Sequence, residues 1–161
     1  MATAILLCGK ICCGKSTYSQ KLSLKRNAVV LSCDELTLCL SDFFPPEKHD
    51  DVLKNVKSYL QDQALNILSV GTNIILDYGF WTKPERISIR NYFQEKGFDV
   101  ELHYLKISDD VLEHHINSRN ISVLKNKHLG YYVDNNLKLK MNNAFQEPTP
   151  NEVDVLIDVT E

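Results

Sequence analysis

Residues Gly9-Lys10-Ile11-Cys12-Cys13-Gly14-Lys15-Ser16 fit the pattern G-x-x-x-x-G-K-S/T, and each fixed position has a chemical reason. Gly9 and Gly14 permit backbone conformations that a side chain would block, so that successive N–H groups turn inward as a nest for an anion. The helix that begins at Lys15 adds its N-terminal partial positive charge. Lys15 would neutralise the β- and γ-phosphates of a nucleoside triphosphate, and the Ser16 hydroxyl would ligate Mg²⁺. With Thr17, residues Gly9, Lys10, Ile11, Cys12, Cys13, Gly14, Lys15 and Ser16 form the expected cradle for the phosphates of ATP. Cys12 and Cys13 read as small side chains that let the loop close; a thiol metal cluster is disfavoured because their backbone is already committed to it.

Carboxylates stand at two further strand ends. Asp34 follows the run Ala28–Ser32 and would lie near the γ-phosphate, where it could take the proton of an attacking hydroxyl as general base. It also suits the N-cap of a short helix over 35–40, and one residue can fill both roles. Asp77 closes Ile74-Ile75-Leu76 in the manner of a Walker B acid that holds Mg²⁺. Orientation of a substrate, or a plain solvated strand end, are the competing readings. Arg119, at an expected helix end, could reach the triphosphate and spread transition-state charge, or simply offset the helix dipole. Arg86 and Arg90 share one face of the helix after Asp77 and could grip substrate or lie in solvent. Trp81, in the aromatic turn Tyr78-Gly79-Phe80-Trp81, could help wall an acceptor pocket with Phe43 and Phe44, or pack between helices. His114 and His115 read as helix-surface residues.

These groups need a scaffold that brings strand ends together. Short apolar runs over 3–8, 28–32 and 72–77 read as buried strands. Apolar residues at Val52, Leu53, Val56, Leu60, Ala64, Ile67 and Leu68 mark one helical face between 47 and 70. Thr82-Lys83-Pro84-Glu85 is a capping box for a helix to about Lys96. A fourth strand is expected over 98–107, and Ser108 caps a helix to about Arg119. Residues 120–133 lack a clean period and read as a mobile lid, followed by a helix over 134–145. Val153, Val155, Ile157 and Val159 alternate with polar residues in an edge strand. Alternating strands and helices imply an α/β fold, a parallel sheet with helices on both faces and the ligand site at the carboxyl ends of the strands.

At 161 residues the chain is expected to be one domain over 1–161, and 43% hydrophobic against 24% charged residues excludes disorder as its main state. Eighteen basic and twenty-one acidic residues leave a net charge of −3, without the basic surplus of a protein that coats nucleic acid or anionic membranes. The five cysteines are odd in number and confined to residues 8–39, which argues against a disulfide framework. No signal peptide or membrane-length apolar run is evident, so a reducing cytoplasm is the expected location.

With Gly9–Ser16, Ser32-Cys33-Asp34, Ile75-Leu76-Asp77 and the tail Phe145-Gln146-Glu147-Pro148…Glu152, the chain resembles the small P-loop kinases, in particular the group containing chloramphenicol phosphotransferase, zeta toxins and the kinase domain of polynucleotide kinases. The resemblance implies a three-layer fold with a five-stranded parallel sheet in the order 2-3-1-4-5 and a short lid at about 120–133. It also implies ATP- and Mg²⁺-dependent phosphorylation of a hydroxyl, with Asp34 as base. The family lid carries arginines, whereas here Arg119 is followed by lysines, so Lys125 or Lys127 could stand in as the transition-state cation. An interior fourth strand sits awkwardly with Asp99, Glu101 and His103 alternating among Phe98, Val100 and Leu102. The strand proper is therefore expected to begin near Leu102, or its first half to project beyond the sheet.

A small-molecule acceptor, such as an antibiotic, sugar, nucleoside or nucleotide-sugar, is the leading expectation. A polynucleotide 5′-hydroxyl kinase is disfavoured by the missing basic stripe. A non-catalytic nucleotide switch of the guanine-specific kind would need Asn-Lys-x-Asp, and Asn126-Lys127 is followed by His128-Leu129.

Overall fold

The strand Thr3–Cys8 (β1) is buried along its whole length, because Thr-Ala-Ile-Leu-Leu-Cys has no polar face to give to water and needs cover on both sides. The computed structural model describes residues 1–127 and 130–160. Strands Ala28–Ser32 (β2), Asn73–Gly79 (β3), Asp99–Ile107 (β4) and Val155–Val159 (β5) join β1 in one parallel sheet. The spatial order is β2-β3-β1-β4-β5, as the resemblance implies.

Helices Lys15–Arg26 (α1), Cys33–Cys39 (α2), His49–Ser69 (α3), Lys83–Gln94 (α4), Asp109–Leu124 (α5) and Asn135–Ala144 (α6) complete the α/β architecture. Strand alternation decides which helices cover which face. Ala4, Leu6, Ile74, Leu76, Val100 and Leu102 pack under Ala64 and Leu68 of α3 and Ile89 and Phe93 of α4. On the opposite face, Ile5, Leu7 and Ile75 meet Leu22 of α1, and Leu105 and Ile107 meet Leu112 and Ile116 of α5 and Met141 of α6. The Thr82–Glu85 capping box forms as expected, and Ser108 and Asp134 cap α5 and α6. No helix among the described residues is long and apolar enough to cross a membrane.

Three local expectations are corrected. First, β4 begins at Asp99 and pairs with β1 from the start, in the register Thr3↔Asp99 through Cys8↔Tyr104. Here β5 pairs only with His103–Ile107, and the same side of the first half is closed by side chains and a turn instead: Arg90 donates to the Val100 carbonyl at 3.2 Å, the Asp154 amide donates to the Leu102 carbonyl at 3.0 Å, and the Asp154 carboxylate accepts from the Leu102 amide at 2.7 Å. The two inward polar groups are also satisfied. Arg26 donates to both Glu101 carboxylate oxygens at 2.8 and 3.1 Å, Glu101 bonds His103 at 2.9 Å, and His103 bonds the Tyr18 hydroxyl at 2.8 Å. Second, α5 continues to Leu124, so Arg119 lies inside the helix and residues 120–124 of the expected lid are helical. No Gly or Pro interrupts this stretch. His128 and Leu129 of that segment lie outside the described residues. Third, the N-cap of α2 is Ser32, whose hydroxyl accepts from the Glu35 amide at 3.3 Å; Asp34 sits in the first turn, where the helix dipole favours its charge.

Candidate functional site

The loop joining β1 to α1 is held at both ends. The Gly9 amide donates to the Gly79 carbonyl at 3.1 Å, which ties the start of the loop to the end of β3. Gly14 closes it as the N-cap of α1, at a left-handed φ of 95° that a glycine adopts without strain. Gly9 is needed for a different reason: a Cβ there would stand 2.5 Å from Cys13 Sγ and 3.0 Å from the Leu105 carbonyl oxygen. Cys12, with φ 61°, takes a left-handed conformation that its Cβ disfavours.

Lys15 Nζ lies back within the loop, donating to the Lys10 carbonyl at 2.8 Å and the Gly9 carbonyl at 3.2 Å. Burial alone would lower its pKa, but the neighbouring acidic groups Cys13, Asp77 and Asp34 outweigh it and the net shift is upward. Lys15 therefore remains a cation. The next residue makes the contact that joins loop and strand: the Ser16 hydroxyl donates to the Asp77 carboxylate at 3.1 Å. Asp77 is buried on β3, opposite Ser32 in the β2–β3 register.

Above these residues opens a cleft of about 750 Å³ at the carboxyl ends of the strands. Ile11, Cys12, Gly14, Lys15, Ser16 and Thr17 line one part, and Asp34 and Asp77 another. Asp34 is accessible to solvent yet enclosed by the cleft walls. Burial and the nearby Asp77 raise its pKa, against the pull of Lys15, Lys57 and Arg119. A raised carboxylate pKa suits a proton acceptor working near neutrality. Arg119 lines the cleft from α5.

The remaining candidates are placed elsewhere. Gly9, Lys10 and Cys13 build the loop without lining the cleft. The Lys10 ammonium instead pairs with Asp109 at 3.0 Å, and Cys13 is buried. Trp81 packs against the buried cluster of Cys13, Leu105 and Met141, so the packing reading of this aromatic is the one the structure supports. Arg86 does not reach the cleft. It is 3% exposed, its Nε donates to Glu152 at 3.0 Å, and its Nη1 donates to the carbonyls of Phe80 at 3.2 Å and Gln146 at 2.9 Å. It is a tie between the turn after β3 and the tail before β5, with no face left for the expected substrate contact. Arg90 is likewise engaged, with Asp154 at 2.6 Å. Lys127 lines the cleft and Lys125 does not.

Around the expected Arg119 the cleft also contains residues that the sequence did not single out as site residues: His115, Ser118, Ser122 and Tyr131. His115, Ser118, Arg119 and Ser122 line it together from α5. Their spacing of three, four and seven residues is a polar stripe on one helical face, a signal present in the sequence. The helix-surface expectation for His115 is corrected: its Nδ1 lies 2.9 Å from the Cys12 carbonyl oxygen. Tyr131 lines the cleft from the far side, its hydroxyl 2.8 Å from His49 Nε2. Burial, then the charge of Asp34, raise the Tyr131 pKa, so the phenol stays protonated. Burial also pushes the Cys8 and Cys33 thiols up to about 12, which leaves both protonated and unreactive at neutral pH.

A family model described as an AAA domain matches residues 5–129. No curated protein matches the chain in sequence. Solved structures share its fold: a candidate kinase from Chloroflexus aurantiacus J-10-fl is 23% identical, with a TM-score of 0.74 over 98% of this chain and 87% of that one. A gluconokinase from Sinorhizobium meliloti 1021 is 15% identical, with a TM-score of 0.68 over 99% and 83%. The APS kinase CysC of Mycobacterium tuberculosis, solved in complex with AMPPNP and APS, is 14% identical, with a TM-score of 0.66 over 99% and 90%.

Proposed function

The chain belongs to the AAA domain family, with the fold of the small P-loop kinases, and from that premise we propose that it transfers the γ-phosphoryl group of ATP to a hydroxyl of a small molecule. The observation that carries this reading is the convergence, in one cleft, of the Lys15–Ser16 phosphate site, the Ser16–Asp77 bond, and a second carboxylate, Asp34, raised above its ordinary pKa. A protein that only bound nucleotide would need the first two. The third is what a hydroxyl acceptor requires.

Mg²⁺ fits the donor set. Ser16 and Asp77 offer hard oxygen ligands, and among the described residues no group of three or more His, Cys, Asp or Glu side chains is placed to cage a metal. That pattern suits an ion which takes one or two protein oxygens and completes its shell with phosphates and water. When bound, Mg²⁺ would offset charge on the phosphates. Lys15 would hold the β- and γ-phosphates, and Arg119 would spread the charge that develops in transfer. Asp34 would take the acceptor proton as the oxygen–phosphorus bond forms and the bond to ADP breaks. The acidic net charge and the absence of a basic stripe favour a small acceptor over a polynucleotide.

The deciding experiment is ADP release from Mg·ATP across a panel of hydroxyl-bearing antibiotics, sugars, nucleosides, nucleotide-sugars and 5′-hydroxyl oligonucleotides. Acceptor-dependent release that disappears in Asp34→Asn supports the reading. A chain that binds ATP and stimulates with none of these classes is a nucleotide-binding protein rather than this kinase.

A further inference from the structure

The phosphate loop is braced from outside by α5. The His115 ring meets the carbonyl of Cys12 across 103 residues of sequence, at 2.9 Å from Nδ1. A carbonyl oxygen only accepts, so Nδ1 is the donor in this bond. The same peptide is held on its other side, where the Cys13 amide donates to the Lys10 carbonyl at 3.3 Å. Because the peptide unit is planar, these two bonds together fix the rotation of the Cys12–Cys13 plane. One helical turn beyond His115, Arg119 lines the same cleft as Cys12. Residue 12 is thus held from α5 at its carbonyl, and it is the loop residue with a Cβ that holds an unfavourable left-handed φ of 61°.

We propose that His115 is a positioning residue for the phosphate loop: its bond to the Cys12 carbonyl holds the Cys12–Cys13 peptide in the orientation that leaves the loop ready for nucleotide phosphates. The proposal rests on the reading of residues 9–16 as a nucleotide site. A strained residue without its external partner spends part of its time in other conformations, and apparent affinity falls in proportion to the fraction that remains competent.

The test is calorimetric titration of the full chain with Mg·ADP, alongside thermal melting of the ligand-free protein. Loss of one hydrogen bond corresponds to a weakening of about 3–10-fold in His115→Ala. His115→Asn keeps a donor attached to Cγ, where Nδ1 sits, and binds within about twofold of the parent. His115→Gln, whose donor is one bond farther out, stays as weak as Ala. Should the Ala variant fail to fold, the Asn and Gln pair carries the comparison. An Ala variant that binds as tightly as the parent overturns the positioning role. So does an Asn variant as weak as Ala, which would mean that Nε2 touches the nucleotide directly. A parent chain that binds no ADP refutes the nucleotide reading itself, a separate and recognisable failure.

Discussion

Ser16 and Asp77, 61 residues apart, are joined by a 3.1 Å hydrogen bond from the hydroxyl to the carboxylate. The bond ties the first turn of α1 to the inner strand β3, and sets the two oxygens expected to face Mg²⁺ side by side. Ser16→Ala should therefore bind ADP in EDTA about as well as the parent. It should lose the gain that Mg²⁺ brings, by about tenfold or more. Titration with and without the metal checks this; a variant that keeps the full Mg²⁺ increment removes Ser16 from the metal site.

Asp34 leads to paired predictions on rate and on stability. Asp34→Asn should leave Mg·ATP affinity nearly unchanged while lowering transfer by about 10²–10⁴-fold. In the parent, kcat/KM should rise with pH as Asp34 loses its proton, along a limb above the ordinary carboxylate range. An acid whose pKa is raised by folding destabilises the fold once pH passes its unfolded value, so the Asn variant should melt higher than the parent at neutral pH. That advantage should vanish on descent toward pH 3.8, the ordinary value of the group.

Arg86 and Glu152 should report on stability and leave acceptor recognition alone. Burial would raise Glu152, but the Arg86 guanidinium and the Thr149 amide and hydroxyl overrule it and hold its pKa at about 2. Glu152→Gln should cost about 3 kcal/mol of unfolding free energy at pH 7. Because folding depresses this pKa, the stabilisation is present above the ordinary value of 4.5 and disappears as pH falls toward 2. Denaturant melts at pH 7 and pH 3 would show the contrast. A variant in which acceptor KM changes while the melt does not would return Arg86 to the site.

The phosphate loop, the positions of Asp34 and Asp77 and the strands of a parallel sheet were legible because each is written locally, as residue types at fixed spacing or as apolar runs, whereas the order of those strands came with the family resemblance. What escaped the sequence depends on partners that meet only in the fold. Arg86 resembles a surface arginine until Glu152, 66 residues later, and the carbonyls of Phe80 and Gln146 surround it. The continuation of α5 past Arg119 is secured by Asn120, which donates to the Val133 carbonyl at 2.9 Å and accepts from its amide at 2.8 Å. Nothing at position 120 announces that contact. His115 was within reach of inference through its spacing from Ser118, Arg119 and Ser122. Reading the helix as ending at Arg119 cut off the stripe that would have marked it.

Gly9 provides a test of how tightly the loop is built. Its nearest neighbours leave no room for a methyl group: Cys13 Sγ would stand 2.5 Å from it and the Leu105 carbonyl oxygen 3.0 Å. Gly9→Ala should lower the melting temperature, through overpacking of roughly 1–3 kcal/mol, and weaken Mg·ADP binding. The two contacts differ in kind, since a sulfur can be removed by mutation and a backbone carbonyl on β4 cannot. Cys13→Ala placed in the Gly9→Ala background should thus recover part of the loss, making the double variant more stable than the sum of the singles predicts. Full recovery would show that Leu105 yields easily. Strict additivity would show that the Cys13 sulfur is not what excludes a side chain at position 9.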